Sequence, residues 1–184
     1  MIYFTADNHF YHVNIISSCG RPFNDVHEMN KKMIDNWNSC VTPNDEVYIL
    51  GDFLYKGTAI EANIILSKLK GKKYLIKGNH EQYLAYPNFN HSAFEWIKEY
   101  HVLTFKGIDF ILFHYPILEW HKFYRGSIHL YGHVHNSEEK HPDFREKVKL
   151  LGPRAVNVGV DMHDFYPVNV YQIIEMAGGE ANGI

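Results

Sequence analysis

Residues 46–52 read Glu-Val-Tyr-Ile-Leu-Gly-Asp, a short apolar run followed by a glycine and a carboxylate. A run of this length that ends in a turn signal predicts a buried strand. Two similar strands are predicted at residues 2–6 and 72–76, and polar residues follow each of them, at 7–9 and 77–80. Apolar residues recur at helical spacing over Val26–Trp37, and again after the candidate cap Thr58 as far as Leu69. The order strand–helix–strand–helix–strand predicts parallel crossovers and therefore an α/β sheet.

The second half of the chain carries a different pattern. Two apolar runs flank Lys106-Gly107, which is typical of a hairpin. Two more strands and a last helix, with Asn169 near its start, complete the pattern, so we expect two sheets with helices outside them. The predicted elements are strands at Val102–Phe105, Ile108–Phe113, Ser127–Tyr131 and Ala155–Val160, and a helix at Val168–Met176.

Length, composition and charge exclude several classes of protein. The 184 residues fit one domain, which we assign to residues 1–176, with residues 177–184 as a frayed tail. The net charge of −3 disfavours a protein that coats nucleic acid. No apolar run approaches the roughly 20 residues of a membrane span, and the first residues lack a signal-peptide pattern. The two cysteines form no CxxC pair, so we expect a cytoplasmic protein.

Side chains that can bind metal follow five predicted strands. Each motif alone is weak, because a Gly-Asp pair after a strand is a common turn and a histidine at a strand end also fits a buried core imidazole. Their repetition at strand ends, where α/β sheets open their sites, indicates one shared site. The residues are Asp7 and His9, Asp52, Asn79 and His80, His114, and His133 and His135.

The series D-x-H, G-D, G-N-H-E, H and G-H-x-H resembles the calcineurin-like metallophosphoesterase superfamily. It extends from Asp7 to His135 and lacks none of the ligand positions. Residues 9–16, followed by Arg21-Pro22-Phe23, resemble in particular the small stand-alone bacterial and phage members. The resemblance implies an α/β four-layer sandwich in which two mixed β-sheets are packed between helices.

The resemblance also implies a centre of two divalent metal ions. A hydroxide that bridges the ions would attack phosphorus, and His80 would be the general acid. Imidazole and oxygen ligands without a thiolate favour Mn, Fe, Zn, Co or Ni over Ca; the ligand types do not choose among these five, and manganese is the metal we expect. By this resemblance one ion would bind Asp7, His9 and His135, the other would bind Asn79, His114 and His133, and Asp52 would bridge both.

One motif departs from the pattern of the protein Ser/Thr phosphatases in this superfamily. Their G-D-x-x-D-R-G reads G-D-F-L-Y-K-G at residues 51–57. Tyr55 replaces the aspartate that would pair with the catalytic histidine, and Lys56 replaces the arginine, which argues against a protein phosphatase. Glu81 is a candidate to orient His80, or a first-turn carboxylate at a helix N-terminus. The sequence leaves its role open.

Residues that hold the substrate phosphate are harder to place. Arg21 is the first candidate, because it follows the D-x-H motif in a Gly-Arg-Pro turn; an exposed surface arginine is the alternative. His12 lies three residues after His9 and reaches the site if the chain turns helical there. Asn14 is a weaker candidate for the same role.

The preferred function is hydrolysis of a small phosphomonoester or phosphodiester. The alternatives are a nuclease acting on DNA or RNA, and a non-catalytic docking module that retains the fold. Only 49 residues follow His135, which leaves little room for a capping domain of the kind nucleases add. We expect a small phosphorylated substrate as partner, with no membrane and no stable nucleic-acid binding. The substrate, the native metal pair and the oligomeric state stay open.

Overall fold

A computed structural model describes residues 1–136 and 142–179. None of the helices in these ranges has both the length and the apolar composition needed to cross a bilayer. The helices are α1 (Ile15–Cys19), α2 (Val26–Cys40), α3 (Ala59–Lys68), α4 (Pro142–Lys149) and α5 (Val170–Met176). The strands are β1 (Ile2–Thr5), β2 (Glu46–Leu50), β3 (Lys72–Ile76), β4 (Trp96–Lys98), β5 (Tyr100–Phe105), β6 (Ile108–Phe113), β7 (Ile128–Tyr131), β8 (Ala155–Asn157) and β9 (Val168–Asn169).

The strands form two mixed sheets. The first has the order β4-β3-β2-β1-β9, and it is parallel from β1 to β4 with β9 antiparallel to β1. The second has the order β5-β6-β7-β8, in which the β5–β6 hairpin is antiparallel and the other two pairs are parallel. The parallel crossovers predicted from the first half of the sequence are therefore confirmed.

Strand β2 shows how one sequence builds two cores. Val47 and Ile49 belong to the apolar cluster that includes residues of α2 and α3. Tyr48 and Leu50 point to the opposite face and belong to the cluster shared with the second sheet. Complete burial of one large aliphatic side chain contributes roughly 1.5–3 kcal/mol, so this alternation strongly favours the observed register.

The outer face of the second sheet completes the layers. Val148 of α4 packs against the buried cluster of Tyr131, Val134 and Leu151. The order is thus helices, sheet, sheet, helix, and the four-layer α/β sandwich with two mixed sheets is confirmed.

The helix starts follow the capping residues in the sequence. The Asp25 carboxylate accepts hydrogen bonds from the backbone N–H of His27 and Glu28, at 2.8 and 2.9 Å, and α2 continues to Cys40. Thr58 and Glu61 cap each other in the first turn of α3. Both caps satisfy backbone donors that have no partner within the helix.

Several short elements differ from the sequence prediction. The predicted helix Val168–Met176 is wrong at its start, because Val168 and Asn169 pair with β1 and Asn169 then caps α5. Strand β8 ends at Asn157, and a 3₁₀ turn follows at Val160–Met162. Three elements, α1, β4 and α4, were not predicted from the sequence. Strands of two or three residues are too short to show the alternation of apolar and polar residues that identifies a strand. They form because a neighbouring strand pairs with them.

The predicted tail lies partly outside the described residues. Ala177–Gly179 form a turn after α5, in which the Gly179 N–H donates to the Ile174 carbonyl at 2.9 Å. Residues 180–184 are outside the described part of the chain.

Candidate metal centre

The loops that follow β1, β2, β3, β6 and β7 meet at one edge of the two sheets. Beyond the strands, β1 and β2 remain paired, because the Asp7 N–H donates to the Gly51 carbonyl and the His9 N–H donates to the Asp52 carbonyl, at 3.0 and 2.9 Å. The Gly132 N–H donates to the His114 carbonyl at 2.9 Å, which joins the loops of the second sheet. The backbone itself therefore brings the candidate ligands together.

The candidate ligands form two groups, in each of which the ligand atoms lie within 4.8 Å of one another. The inner group is Asp7, His9 and His135, of which Asp7 and His9 are buried. The outer group is Asp52, His114 and His133, of which His133 is exposed. Asn79 is added to the outer group, because its Oδ1 is 3.1 Å from the His114 Nε2.

Asp7 is fully buried and is held by the backbone of the last motif. Its carboxylate oxygens accept from the His133 N–H at 2.9 and 2.8 Å. Burial raises the pKa of Asp7 to about 7, although the charge of His135 opposes this shift. Gly132 and Gly159 press against the carboxylate, and a Cβ there would lie 2.8 and 2.9 Å from Oδ2. Only glycine permits this approach.

The His9 ring presents an unpaired nitrogen to the centre. Its Nδ1 is 3.3 Å from the Nδ1 of His12, whereas its buried Nε2 has no hydrogen-bond partner among the described residues. The Asp52 Oδ2 lies 3.4 Å from this Nε2. Burial, with the charges of His135 and Arg21, strongly lowers the pKa of His9. A neutral imidazole with a buried, unpaired nitrogen is the form that binds metal.

His135 is oriented by a carboxylate behind it. Its Nδ1 donates to the Asp161 Oδ2 at 2.8 Å, which leaves Nε2 for the centre, as in many metal-binding histidines. Burial opposes protonation of His135, but its bonds to Asp161 and Cys19 and the charge of Asp7 raise its pKa to about 10. Cys19 also lies within 4.8 Å of the ligand atoms of His135 and Asp161. That trio suits a metal less well, because Arg21 already occupies both Asp161 oxygens.

His114 and Asn79 place two acceptor atoms side by side. The His114 Nδ1 donates to the Leu50 carbonyl at 2.7 Å, so in the neutral ring Nε2 carries a lone pair. That Nε2 faces the Asn79 Oδ1 at 3.1 Å and the Asp52 Oδ1 at 3.6 Å. Burial lowers the pKa of His114, which favours the neutral form. Three acceptors that converge in this way fit a cation.

Asp52 lies between the two groups. Its Oδ2 is 3.4 Å from the His9 Nε2, and its Oδ1 is 3.6 Å from the His114 Nε2. Oδ1 also accepts from the backbone N–H of Asn79 and His80, both at 3.0 Å. A Cβ at Gly78 would overlap Asp52 Oδ1, so the glycine is required for this close approach.

Backbone strain is concentrated in the candidate ligands. Left-handed φ angles between 48° and 73° occur at five of the seven predicted positions. Such conformations are unfavourable for residues other than glycine and persist where the surroundings enforce them, commonly at functional sites. The five residues are Asp7, His9, Asp52, His133 and His135.

His80 stands at the mouth of the centre. Its side chain is 29% exposed, and its Nε2 is 3.8 Å from the Asp52 Oδ2. Its ring contacts those of Tyr55 and His9, with centroids 4.7 and 5.5 Å apart. This placement beside the ligands and open to solvent suits a residue that exchanges protons with a substrate.

Arg21 does not have the place expected of a substrate-binding residue. Its buried guanidinium donates to both Asp161 oxygens at 2.8 and 3.0 Å, and to the backbone carbonyls of Asn8 and Asp7 at 2.9 and 2.7 Å. A contact of 3.5 Å with the Met29 sulfur uses the remaining N–H. All five N–H donors of Arg21 are therefore occupied, and none is left for a substrate phosphate. The prediction that Arg21 binds substrate is corrected: Arg21 stabilises the inner group through Asp161 and the backbone of Asp7.

The other two predicted substrate residues line a groove beside Tyr55. The half-buried His12 contacts His9 through its Nδ1 and stacks on Tyr55, so its position is behind a ligand. Asn14 is exposed at the start of α1, and it lines a groove of about 420 Å³ together with His12 and Lys56.

Glu81 has a role that differs from both sequence hypotheses. Its buried carboxylate accepts from the backbone N–H of Phe53 and Gly78, at 3.0 and 2.6 Å, and it forms no bond to the His80 ring. Burial and the nearby Asp52 raise the pKa of Glu81 to about 8. Glu81 therefore ties together the two loops that carry Asp52 and Asn79.

The role of Asp161 in orienting His135 was not predicted from the sequence. The one available signal was general, because a metal-binding histidine commonly donates to a carboxylate behind it. Nothing in the sequence distinguishes Asp161 from the surface Asp109, which instead pairs with Lys122 and Thr104.

Comparison with known proteins agrees with this geometry. A family model for calcineurin-like phosphoesterases matches residues 1–114. The chain is 34% identical over 177 residues to the uncharacterised protein MJ1445 of Methanocaldococcus jannaschii, across 95% of this chain and 90% of that protein. The fold is similar to the crystal structure of the protein of unknown function AQ665 from Aquifex aeolicus, with a TM-score of 0.71, 26% identity, and coverage of 96% and 98% of the two chains. The chain thus belongs to the calcineurin-like phosphoesterase family.

Proposed function

We propose that the protein is a metal-dependent phosphoesterase that hydrolyses a small phosphomonoester or phosphodiester. The observation that carries this proposal is the unpaired Nε2 of His9 and the lone-pair Nε2 of His114, both directed at Asp52. Neutral nitrogens and carboxylate oxygens turned toward one point leave uncompensated acceptors, and divalent cations would satisfy them.

The residues of the two groups fit two ions. Asp7, His9 and His135 would hold one, and Asn79, His114 and His133 would hold the other, with Asp52 shared. When bound, two such ions supply positive charge for the phosphoryl oxygens and lower the pKa of water to near ~7. Their charge also permits an anionic substrate to bind a chain whose own net charge is −3.

The protein's own residues supply the remaining chemistry. His80 would donate a proton to the leaving-group oxygen, because it is open to solvent and adjoins Asp52. The Asp52 Oδ1 accepts a hydrogen bond from the backbone N–H of His80 at 3.0 Å, which fixes the backbone position from which that side chain extends. The exposed His133 lies at the entrance, so the substrate would approach from the outer group.

Reconstitution with Mn²⁺ tests the proposal. The metal-stripped protein, with Mn²⁺ restored, should cleave p-nitrophenyl phosphate or bis-p-nitrophenyl phosphate, and the preferred substrate would separate a monoesterase from a diesterase. His80→Ala should lower kcat by about 10²–10⁴-fold for phenyl phosphate, whose basic leaving group needs a proton, while the bound manganese is unchanged. His27→Ala, which removes an exposed histidine of α2, is the matched control.

Two results would contradict the proposal. Absence of hydrolysis with every divalent metal tested, together with absence of bound metal, would favour a docking module. Cleavage of DNA with an affinity that falls steeply as salt increases would favour a nuclease.

A further inference from the structure

Tyr55 is fixed in register with the residues that follow β1. The Phe10 N–H donates to the Phe53 carbonyl at 3.0 Å, and the Tyr55 N–H donates to the Phe10 carbonyl at 3.3 Å. This continues the pairing of β1 with β2 beyond the end of the sheet, with a bridge between Phe10 and Leu54. The backbone therefore sets the position of Tyr55 relative to His9 and His12.

The Tyr55 ring is held by its neighbours. The His12 ring stacks on it with centroids 3.7 Å apart and an interplanar angle of 21°. The Lys56 Nζ lies 5.1 Å from the ring centroid, within the range of a cation–π contact. Within residues 1–136 and 142–179, the Tyr55 side chain makes ring contacts and no hydrogen bond.

The Tyr55 ring meets His80 edge to face, with centroids 4.7 Å apart and an interplanar angle of 79°. In the described part of the chain, the His80 ring has no hydrogen-bond partner, since the Asp52 Oδ2 at 3.8 Å is beyond hydrogen-bond distance. The backbone N–H of His80 is fixed by Asp52, but that bond leaves both side-chain torsions free. Among the described residues, the ring contacts of the imidazole are those with Tyr55 and His9.

We infer that Tyr55, supported by His12, is a positioning residue for His80. Ring contact with Tyr55 directs the imidazole toward the leaving-group oxygen, in place of a hydrogen bond from the ring to a carboxylate. This inference rests on the proposed function, in which His80 is the general acid.

Loss of this positioning should affect substrates differently according to their leaving groups. A misplaced general acid slows the departure of a basic leaving group, because that oxygen needs a proton, and hardly affects an acidic leaving group. Misplacement by about 1 Å can lower a rate roughly 10²-fold. A purely structural role of Tyr55 would instead lower the rates of all substrates together.

The test compares phenyl phosphate, which has a basic leaving group, with p-nitrophenyl phosphate, which has an acidic one. Tyr55→Leu should lower kcat for phenyl phosphate by roughly 10–100-fold, with a much smaller loss for p-nitrophenyl phosphate and little change in KM. Tyr55→Phe retains the ring and should behave as the wild type. Adding Tyr55→Leu to His80→Ala should cause no further loss, because both changes remove one function.

A crystal structure provides a readout that does not depend on turnover. The His80 ring should occupy one rotamer in the wild type and in Tyr55→Phe, and more than one rotamer in Tyr55→Leu. Tyr55→Met, a second variant without a ring, gives the same test if Tyr55→Leu does not fold.

The outcomes separate the two proposals. A wild-type protein without hydrolysis under any metal would overturn the proposed function. If the wild type is active, and the variants without a ring lower kcat equally for both substrates or for neither, the inference about Tyr55 is overturned. The proposed function would then still stand. A single His80 rotamer in the ringless variants would also overturn that inference.

Discussion

The inner and outer groups of candidate ligands are supported in different ways. In the inner group, two side chains have their own partners: His135 donates to Asp161, and His9 contacts His12. In the outer group, support acts on the loops, because Glu81 binds the backbone N–H of Phe53 and Gly78. The inner-group histidines are thus oriented by other side chains, whereas the outer group is held by backbone atoms, including the Leu50 carbonyl that accepts from the His114 Nδ1.

This difference assigns the two groups different tasks. Arg21 and Asp161 form a buried pair behind the inner group, which fixes that group before any metal binds. His133 of the outer group is exposed, and Asn79 is exposed beside it. We therefore expect the inner group to hold its ion more tightly and the outer group to meet the substrate.

Asp52 belongs to the outer group and also lies 3.4 Å from the inner-group His9 Nε2, so its removal should have the largest effect. Asp52→Asn replaces the carboxylate between the His9 and His114 nitrogens and should abolish metal-dependent turnover and lower the manganese content of both sites. Asp109→Asn, which changes a carboxylate paired with Lys122, is the control and should leave both unchanged. Full activity in Asp52→Asn would show that the two groups do not act together.

Asp161→Asn should distinguish the groups. It weakens the bond that orients His135, and changes of this kind lower metal affinity by about 10–100-fold. The loss should be confined to the tighter of two binding steps in a manganese titration followed by calorimetry. An equal loss in both steps would mean that Asp161 supports the whole centre.

The pH dependence of metal binding should also differ between the groups. Metal must displace protons from Asp7, whose pKa burial raises to about 7, and from His135, whose pKa is raised to about 10. Burial lowers the pKa of His114 and His133, so these ligands are already neutral at pH 7. From pH 8 to pH 7, inner-group affinity should fall by about 20-fold, because His135 contributes about tenfold and Asp7 about twofold, while outer-group affinity stays nearly constant. Calorimetry in buffers of different ionisation enthalpy counts the protons released on metal binding. Proton release only in the weaker step, which we assign to the outer group, would contradict the prediction that the inner-group ligands lose protons.

Glu81→Gln should have the smallest effect. An amide oxygen can accept one of the two backbone hydrogen bonds well, so we expect a loss of about 1 kcal/mol in the free energy of unfolding. Of the two manganese-binding steps, only the weaker one should lose affinity. Glu99→Gln, at an exposed carboxylate 3.5 Å from the Lys77 Nζ, serves as the control in chemical denaturation. A loss of affinity in the tighter step would contradict the conclusion that the inner and outer groups are supported by different contacts.

Local patterns predicted much of the fold and the convergence of the ligands. The strand ends before Asp7, Asp52 and Asn79 follow from apolar runs and turn residues, and parallel strands bring their ends to one edge. The same reasoning could not place β9, because a two-residue strand has no period and is defined by its pairing with β1.

Long-range side-chain contacts were beyond local reasoning. Arg21 and Asp161 are 140 residues apart, and the sequence near Arg21 does not show whether its guanidinium faces solvent or a buried carboxylate. The contact between Tyr55 and His80 likewise arises from the packing of two separate loops. Residue types at strand ends indicate a metal centre, whereas its supports emerge only from the folded chain.

A crystal structure of the manganese-soaked protein, with anomalous scattering recorded at the manganese edge, tests the metal centre most directly. We expect two anomalous peaks, one contacting Asp7, His9 and His135 and the other contacting Asn79, His114 and His133, with Asp52 between them. An absence of peaks at these side chains, or manganese bound elsewhere, would contradict the assignment of this site as the metal centre.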